Sequence, residues 1–470
     1  MNAIGPDGPA VPFARLEVVE AGARPRDPGA IPCVLGRDFV VEPEALGAYC
    51  LRDLPRRVDD LVLLAGAVSY ADRVLRRRAA RGWERSLHLS LPVLEPDFWA
   101  QPVVAGALSR TLRLLTGDGW SFEFARRRAP LTRGGQAVLA FGDAPALVMP
   151  FSDGLDSMAV ARLTAEREPR SGLILVTVGR LRDPDADWRV RCFKGRYHRV
   201  GVPFRRPRNG SGTRLKEQSY RSRAFVFGVM AGVAAGLLGA ERILVSESGQ
   251  GALGPSLTPV GNEAPDLRMH PGFTRSLADL FALVLERPVL FEHPRLWSTK
   301  GETLAELRGA GLAGDWGRTR SCSRDQRDVS LDGRRVQCGV CANCLLRRQS
   351  LMASGLGESG ERYLWPRLSA DSLAASAAEG GRAATRNDEQ HAACGVLAMA
   401  ELAALAAPGP ARPSLGWATA DLAGALDEPV AGVRTRLARL LAAHRAEWDA
   451  FTAAQGPASF VARLSGQVLR

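Results

Sequence analysis

Lysine is almost missing from this chain of 470 residues: Lys194, Lys216 and Lys300 are the only three, so 59 of its 62 basic residues are arginine. The net charge of +12 therefore names no anionic partner by itself, because arginine, alanine and glycine enrichment with little lysine is also what GC-rich coding produces. Cysteine is scarce, at eight residues, which excludes a disulfide-stapled scaffold. Long apolar runs are missing too. The longest uncharged stretch, Ala224 to Ala240, has 17 residues with four glycines, short for a bilayer span and better suited to a helix buried against a sheet. No basic start leads into an apolar run, so no secretory signal is expected, and a reducing, cytoplasmic setting without membrane contact follows. With 46% hydrophobic and 24% charged residues, the chain lies outside the disordered regime.

The pattern along the chain predicts three parts. Residues 1–145 read as an N-terminal α+β domain. Leu61, Val62, Ala65, Val68 and Leu75 recur at helical spacing. Leu87, Leu89, Leu91 and Val93 alternate as in a one-face-buried strand, a helix is expected over Trp99–Leu115, and strands near Phe122–Ala125 and Ala137–Phe141. From Ala146 short apolar strands alternate with helices: Leu147–Phe151, a helix Asp156–Glu166, Leu173–Val178, a helix Glu217–Leu238, Arg242–Ser246, a helix Phe273–Leu285 and Val289–Phe291. That alternation predicts a doubly wound parallel α/β sheet over 146–365, with ligands at the carboxyl ends of its strands. Residues 366–470 read as a linker, Glu379–Asn387, and a helical appendage with helices near His391–Ala406 and Ala418–Ala450, the second interrupted at Pro429.

Three constellations carry chemistry. The first is the turn Phe151-Ser152-Asp153-Gly154-Leu155-Asp156-Ser157 between an apolar strand and a helix, where backbone N–H groups and hydroxyls can converge on phosphate. It contains no GxxxxGK[ST] loop. Without a ligand, the same turn would serve as a helix cap. The second is Cys322, Cys338, Cys341 and Cys344, spaced C-x15-C-x2-C-x2-C, a closed thiolate set suited to structural Zn2+. An iron–sulfur cluster is the less favoured occupant. Arg320, Arg334, Arg335, Arg347 and Arg348 lie close in sequence to offset the site's formal charge. The third is Trp297-Ser298-Thr299-Lys300-Gly301-Glu302, whose lysine stands out in a chain with so few and could neutralise a departing pyrophosphate.

Taken in order, the SDGLDS loop, Arg221-Ser222-Arg223 opening a Gly/Ala-rich helix, Ser246-Glu247-Ser248-Gly249, Arg268-Met269-His270-Pro271, TKGE and CGVCANCLLR resemble the 7-cyano-7-deazaguanine synthase (QueC) family of PP-loop ATP pyrophosphatases. The resemblance covers roughly residues 146–355, and the cysteine cluster is its most specific part. Where the family usually has its first glycine, this chain has Asp153. The chain is about twice the length of the housekeeping synthase, closer to the enlarged QueC-like proteins of bacterial antiphage systems. The resemblance implies a PP-loop fold and a ligase that adenylates a carboxylate, 7-carboxy-7-deazaguanine or an analogue, releases pyrophosphate, and passes the acyl group to an amine with loss of AMP. It implies ATP, Mg2+ and Zn2+ as cofactors. Ser152, Asp153, Gly154, Leu155, Asp156 and Ser157 would hold the phosphates, with Lys300 on the leaving group. The strand end at Val176 and Val178 would meet adenine, Arg221 and Arg223 the acid or α-phosphate, and Glu247 and His270 the base. A deazapurine-type acid is the expected small-molecule partner, and a protein acceptor or co-encoded defence protein the expected macromolecular one.

Two other classes remain open at the level of sequence. A PP-loop tRNA-modifying enzyme would use the basic surface for nucleic acid and a reactive cysteine near the loop, for which Cys192 is the candidate, though nucleic acid is the less favoured partner. A catalytically degenerate zinc-stabilised scaffold would follow if Asp153 had spoiled the phosphate loop.

Overall fold

The structure is a computed structural model in which residues 11–50, 53–77, 82–127, 146–152, 154–179, 197–202, 204–205, 215–259, 261–314, 316–324, 329–358, 363–407 and 412–468 are described. In chain order, its first elements are β1 Phe13–Val19, β2 Ile31–Val34, β3 Val40–Val41, α1 Glu44–Cys50, α2 Arg56–Val74, β4 Ser86–Val93, α3 Pro96–Trp99, α4 Pro102–Thr116 and β5 Gly119–Arg126. Next come β6 Ala146–Pro150, α5 Leu155–Arg167, β7 Gly172–Val178, β8 Tyr197–Val202, β9 Phe204–Arg205, α6 Arg223–Leu238, β10 Arg242–Leu244, the short helices α7 Gly249–Ala252 and α8 Gly254–Leu257, α9 Pro271–Leu285 and β11 Leu290–Glu292. The remainder is α10 Lys300–Gly309, a hairpin of β12 Ser330–Leu331 and β13 Arg334–Arg335, α11 Ala342–Ala353, α12 Arg386–Ala404, α13 Pro413–Leu426, α14 Val430–Gln455 and α15 Phe460–Gly466.

The chain forms two compact units that interleave along the sequence. One comprises Met1–Phe151, Glu168–Val245 and Gly261–Glu292; the other comprises Ser152–Arg167, Ser246–Val260 and His293–Arg470. These edges do not coincide with the boundaries at 145 and 365 expected from composition.

The first unit holds two parallel sheets, ordered β2-β1-β4-β5 and β11-β10-β6-β7-β8. In the second, the inner strands β6 and β7 are short apolar runs, as expected of strands covered on both faces. Leu16, Leu89, Leu91, Leu61 and Val68 share one core with Val148, Val176, Phe225, Val229, Phe273 and Phe281, so both sheets and helices α2, α6 and α9 form a single hydrophobic body. The sheet of the N-terminal part is wholly parallel, which corrects the α+β expectation: α1 and α2 lie between β2 and β4 in the chain and α3 and α4 between β4 and β5, while β1 reaches β2 through a connection without a helix. The 17-residue uncharged stretch is α6, buried against β6, β7 and β10. Among the described residues no helix is long and apolar enough to cross a membrane.

In the second sheet the order runs β6, β7, β8 in one direction and β10, β11 in the other, so it reverses between β6 and β10. The chain leaves the carboxyl ends of these two strands as Phe151-Ser152 and Val245-Ser246, the place where open α/β sheets collect ligands.

The second unit is largely helical. Leu155, Met158 and Leu163 of α5 pack on Leu304 and Leu307 of α10 and Leu351 of α11. A larger core gathers Cys338, Cys341, Cys344, Trp365, Val396, Ala400, Trp448, Phe451 and Val461, and a third joins Leu253 and Leu296 to Leu402, Leu422, Leu437 and Leu440. The C-terminal helices thus belong to the body that carries the cysteines.

Prolines and caps explain where the helices depart from the periodic reading. The helix expected over Trp99–Leu115 is two, α3 and α4, because Pro102 starts a new one. The interruption expected at Pro429 is present, separating α13 from α14. A capping box at Thr385 and Asp388 starts α12 inside the expected linker, and α6 begins at Arg223 rather than Glu217. The strand expected over Ala137–Phe141 lies outside the described residues.

Candidate functional site

The polar turn after β6 opens α5, a helix of 13 residues with Asp156 in its first turn. Ser152 Oγ and Ser157 Oγ are 2.9 Å apart, and Gly154 N donates to Ser152 Oγ at 3.1 Å. Ser246, from the segment after β10, brings a third hydroxyl within 3.2 Å of Ser157 Oγ. Lys300 completes the group. Its ammonium is 2.8 Å from Asp156 Oδ2, with the lysine side chain only 6% exposed. A helix N-terminus, three hydroxyls linked through Ser157 and a buried cation form an arrangement that can accept the oxygens of an anion. Leu155 belongs to the apolar face of α5 and anchors the turn to α10. Asp153 lies outside the described residues.

Lys300 is the first residue of α10, behind the cap Thr299. Thr299 Oγ1 accepts from Glu302 N at 3.0 Å, while Glu302 Oε2 accepts from Thr299 N at 2.8 Å, a reciprocal capping box. Glu247 belongs to the same unit, one residue after Ser246, and is half-buried.

The other expected site residues belong to the first unit. Val176 is buried in β7 and Val178 half-buried near its end. Arg221 is buried beside Trp83, with Nη2 2.9 Å from Glu263 Oε2 and Nη1 3.4 Å from Asp266 Oδ1; its charge is already matched by two carboxylates. Arg223 is exposed at the start of α6, over the ring of Phe227. His270 caps α9: Nδ1 accepts from Gly272 N at 3.0 Å, and burial lowers its pKa to about 4, so the ring is neutral at pH 7.

The four cysteines converge. The sulfurs of Cys322, Cys338, Cys341 and Cys344 all lie within 4.8 Å of one another, and Cys338 Sγ and Cys344 Sγ are 3.7 Å apart. A tetrahedral ion with Zn–S bonds of about 2.3 Å needs sulfurs about 3.8 Å apart, so the set could hold a zinc ion. Backbone N–H groups of Cys338, Val340 and Cys341 point at sulfurs from 3.3 to 3.5 Å, the second layer expected of a thiolate site. Cys341 is the N-cap of α11, where the helix dipole favours thiolate, and Cys344 lies in the first turn, where burial pushes its thiol up in the absence of a metal. Hydrogen bonds from Cys322, Cys338 and Cys344 hold the Cys341 thiol well below its ordinary range. Gly339 makes the close turn possible: its φ is +89°, and a Cβ there would lie 2.6 Å from Trp365 O. Two of the arginines expected to offset the cluster are engaged elsewhere: Arg347 donates to Thr319 Oγ1 at 2.8 Å, and Arg348 pairs with Glu358 at 2.9 Å. Cys33 and Cys50 are buried and Cys394 is exposed, while Cys192 lies outside the described residues.

Sequence reasoning passed over three residues. Ser246 was visible in the SESG segment without a role. Gln250 and Glu447, which surround the N-terminus of α10, gave no local signal, although the Thr299-x-x-Glu302 pattern marks that helix start.

Fold and site together define an α/β protein with parallel sheets, a helical C-terminal region and a four-cysteine cluster able to take a metal. Comparison of the sequence with protein-family models and with curated proteins gives no match.

Proposed function

We propose that the protein is an ATP-dependent ligase of the QueC-like PP-loop type, which adenylates a carboxylate of the deazapurine class and transfers the acyl group to an amine. The observation that carries this reading is the pair of buried Lys300 with half-buried Asp156, together with the Ser152, Ser157 and Ser246 hydroxyls at the start of α5. In the proposed reaction the substrate carboxylate attacks the α-phosphorus of ATP and the bond to the β-phosphate breaks. Charge develops on pyrophosphate, where the Lys300 ammonium, the serine hydroxyls and the helix N-terminus supply stabilisation. Asp156 holds Lys300 in place before the phosphates arrive. An amine then displaces AMP from the acyl carbon. Mg2+ enters with ATP, and zinc in the cysteine cluster is structural, with no open ligand position. A protein amine from a co-encoded defence partner is the proposed acceptor, given the mass of the chain beyond the family's core.

The test is release of pyrophosphate and AMP by the purified protein with ATP and Mg2+, with and without 7-carboxy-7-deazaguanine, followed by intact mass of candidate acceptors. Acid-dependent release lost in Lys300→Met supports the reading. A folded, zinc-loaded protein that releases nothing with any acid or acceptor overturns it.

A further inference from the structure

The peptide N–H of Lys300 donates to Gln250 Oε1 at 2.7 Å. Gln250 follows the Ser246-Glu247-Ser248-Gly249 segment, so one side chain ties the element that carries Ser246 to the element that carries Lys300. Its amide nitrogen donates to His444 Nδ1 at 2.8 Å and to Glu447 Oε2 at 3.3 Å, both on α14. Gln349, on the helix that begins at the cysteines, reaches the same two groups, His444 Nδ1 at 3.3 Å and Glu447 Oε2 at 3.1 Å. Glu447 Oε1 accepts the Thr299 hydroxyl, the cap of α10. His444 Nε2 faces Met399 O at 3.0 Å, and a carbonyl only accepts, so the ring proton is on Nε2 and Nδ1 is the acceptor for the two amides. Gln250, Thr299, Gln349 and His444 are all buried. A Cβ on Gly301 would collide with Glu447 Oε1 and lie 3.0 Å from Ala353 Cβ, so the carboxylate is packed directly on the first turn of α10.

We propose that Glu447 and Gln250 are positioning residues for Lys300, and that α14 is thereby a working part of the anion site. Glu447 fixes the cap, Gln250 fixes the peptide of Lys300, and the ammonium is left with one place to go, on Asp156. Gln349 links the same cluster to the helix that starts at the cysteines. The inference rests on the phosphate reading for its consequence in catalysis, while the anchoring itself is independent of it.

Lysine scarcity makes the anchoring measurable. The purified full chain is acetylated with a water-soluble amine-reactive ester, and modification of Lys300 is followed by peptide mass spectrometry against the exposed Lys216. Binding of inorganic pyrophosphate is followed by calorimetry. Truncation in Glu447→Ala strands the Thr299 hydroxyl and leaves the Gln250 and Gln349 amides with His444 Nδ1 alone, so Lys300 acetylation should rise about tenfold relative to Lys216 and pyrophosphate affinity should fall about tenfold. Glu447→Gln keeps an oxygen for Thr299 but sets its NH2 against the amide nitrogens of Gln250 and Gln349, so both readouts should fall between wild type and Glu447→Ala. Ser459→Ala removes the N-cap of α15, which accepts from Ala462 N, and is the control for a general loss of stability. Positioning is refuted if Lys300 is as reactive as Lys216 in wild type, if Glu447→Ala leaves it shielded, or if Ser459→Ala changes both readouts as much. If wild type shields Lys300 and Glu447→Ala unmasks it while neither binds pyrophosphate, the positioning stands and the phosphate reading fails.

Discussion

Substitution of Cys341 by serine should separate a metal-built core from one that merely contains thiols. Its sulfur is one of four within 4.8 Å, and the surrounding core includes Trp365, Val396, Trp448 and Phe451. A ligand that binds only the folded state stabilises by RT ln(1 + [L]/Kd), about 4 kcal/mol when the free metal exceeds its dissociation constant a thousandfold. At 1.36 kcal/mol per decade, that is about three orders of magnitude in the opening equilibrium. The loss should be concentrated where the sulfurs are anchored, in α11 and in the segment around Trp365, whose N–H donates to Cys338 O at 3.1 Å. Hydrogen exchange resolved by peptide, with zinc counted by a colorimetric chelator, reads both quantities. Expected is loss of stoichiometric zinc together with a drop in protection of that order at residues 338–353 and 363–368. A folded Cys341→Ser protein that retains one zinc, or protection unchanged once zinc is stripped from wild type, would refute the reasoning.

Three further outcomes are expected. Gly339→Ala forces a side chain into φ +89° and towards Trp365 O, and should cost about 2 kcal/mol with weaker zinc retention, read by denaturant midpoint and metal content; an unchanged midpoint would contradict the close turn. In the first unit, Arg85 is fully buried between Asp72 and Asp118, 2.6 Å from each, so Arg85→Leu leaves two buried carboxylates sharing Arg77 and should cost about 3–5 kcal/mol in urea unfolding, against less than 1 kcal/mol for a surface arginine. Burial lowers His270 and His444 from 6.5 to about 4. Between those values the unfolded chain binds more protons than the folded one, so stability falls as pH drops from 6.5 towards 4, by about 3 kcal/mol per histidine. Glu447 has the opposite sign, since burial raises its pKa and it loses stability as pH rises past the unfolded value of 4.5. His444→Gln should flatten the profile between pH 4.5 and 6.5; a profile identical to wild type would refute this.

What could be read from sequence alone follows from how local each signal is. Four strands of the second sheet were legible, helped by continuous apolar runs such as Leu173–Val178, whereas the edge strand β8, whose sequence carries His198 and Arg199, gave no such signal. The cysteine cluster was legible from spacing, and Lys300 from its rarity. Strand β1 was not: Glu17 interrupts its apolar pattern, yet it is buried because the backbone of Arg26 and Asp27 donates to its carboxylate. Nor was the cluster behind Lys300, since Glu447 and His444 meet Thr299 and Gln250 across more than 140 residues of chain. A buried polar network leaves no periodicity in sequence, only isolated polar residues on otherwise apolar helix faces.

The interleaved construction of the second unit sets an order of events during synthesis. Its first two pieces, Ser152–Arg167 and Ser246–Val260, leave the ribosome long before the third, His293–Arg470, exists to receive them. At roughly 5–20 residues per second the wait from α5 to the end of α14 is on the order of tens of seconds. Throughout that interval Leu155, Met158 and Leu163 have no Leu304, Leu307 or Leu351 to cover them. A nascent chain of this protein is therefore expected to need holding chaperones until its C-terminal helices emerge, and truncations that remove those helices should be cleared as aggregates or proteolytic fragments rather than persist as a smaller folded protein.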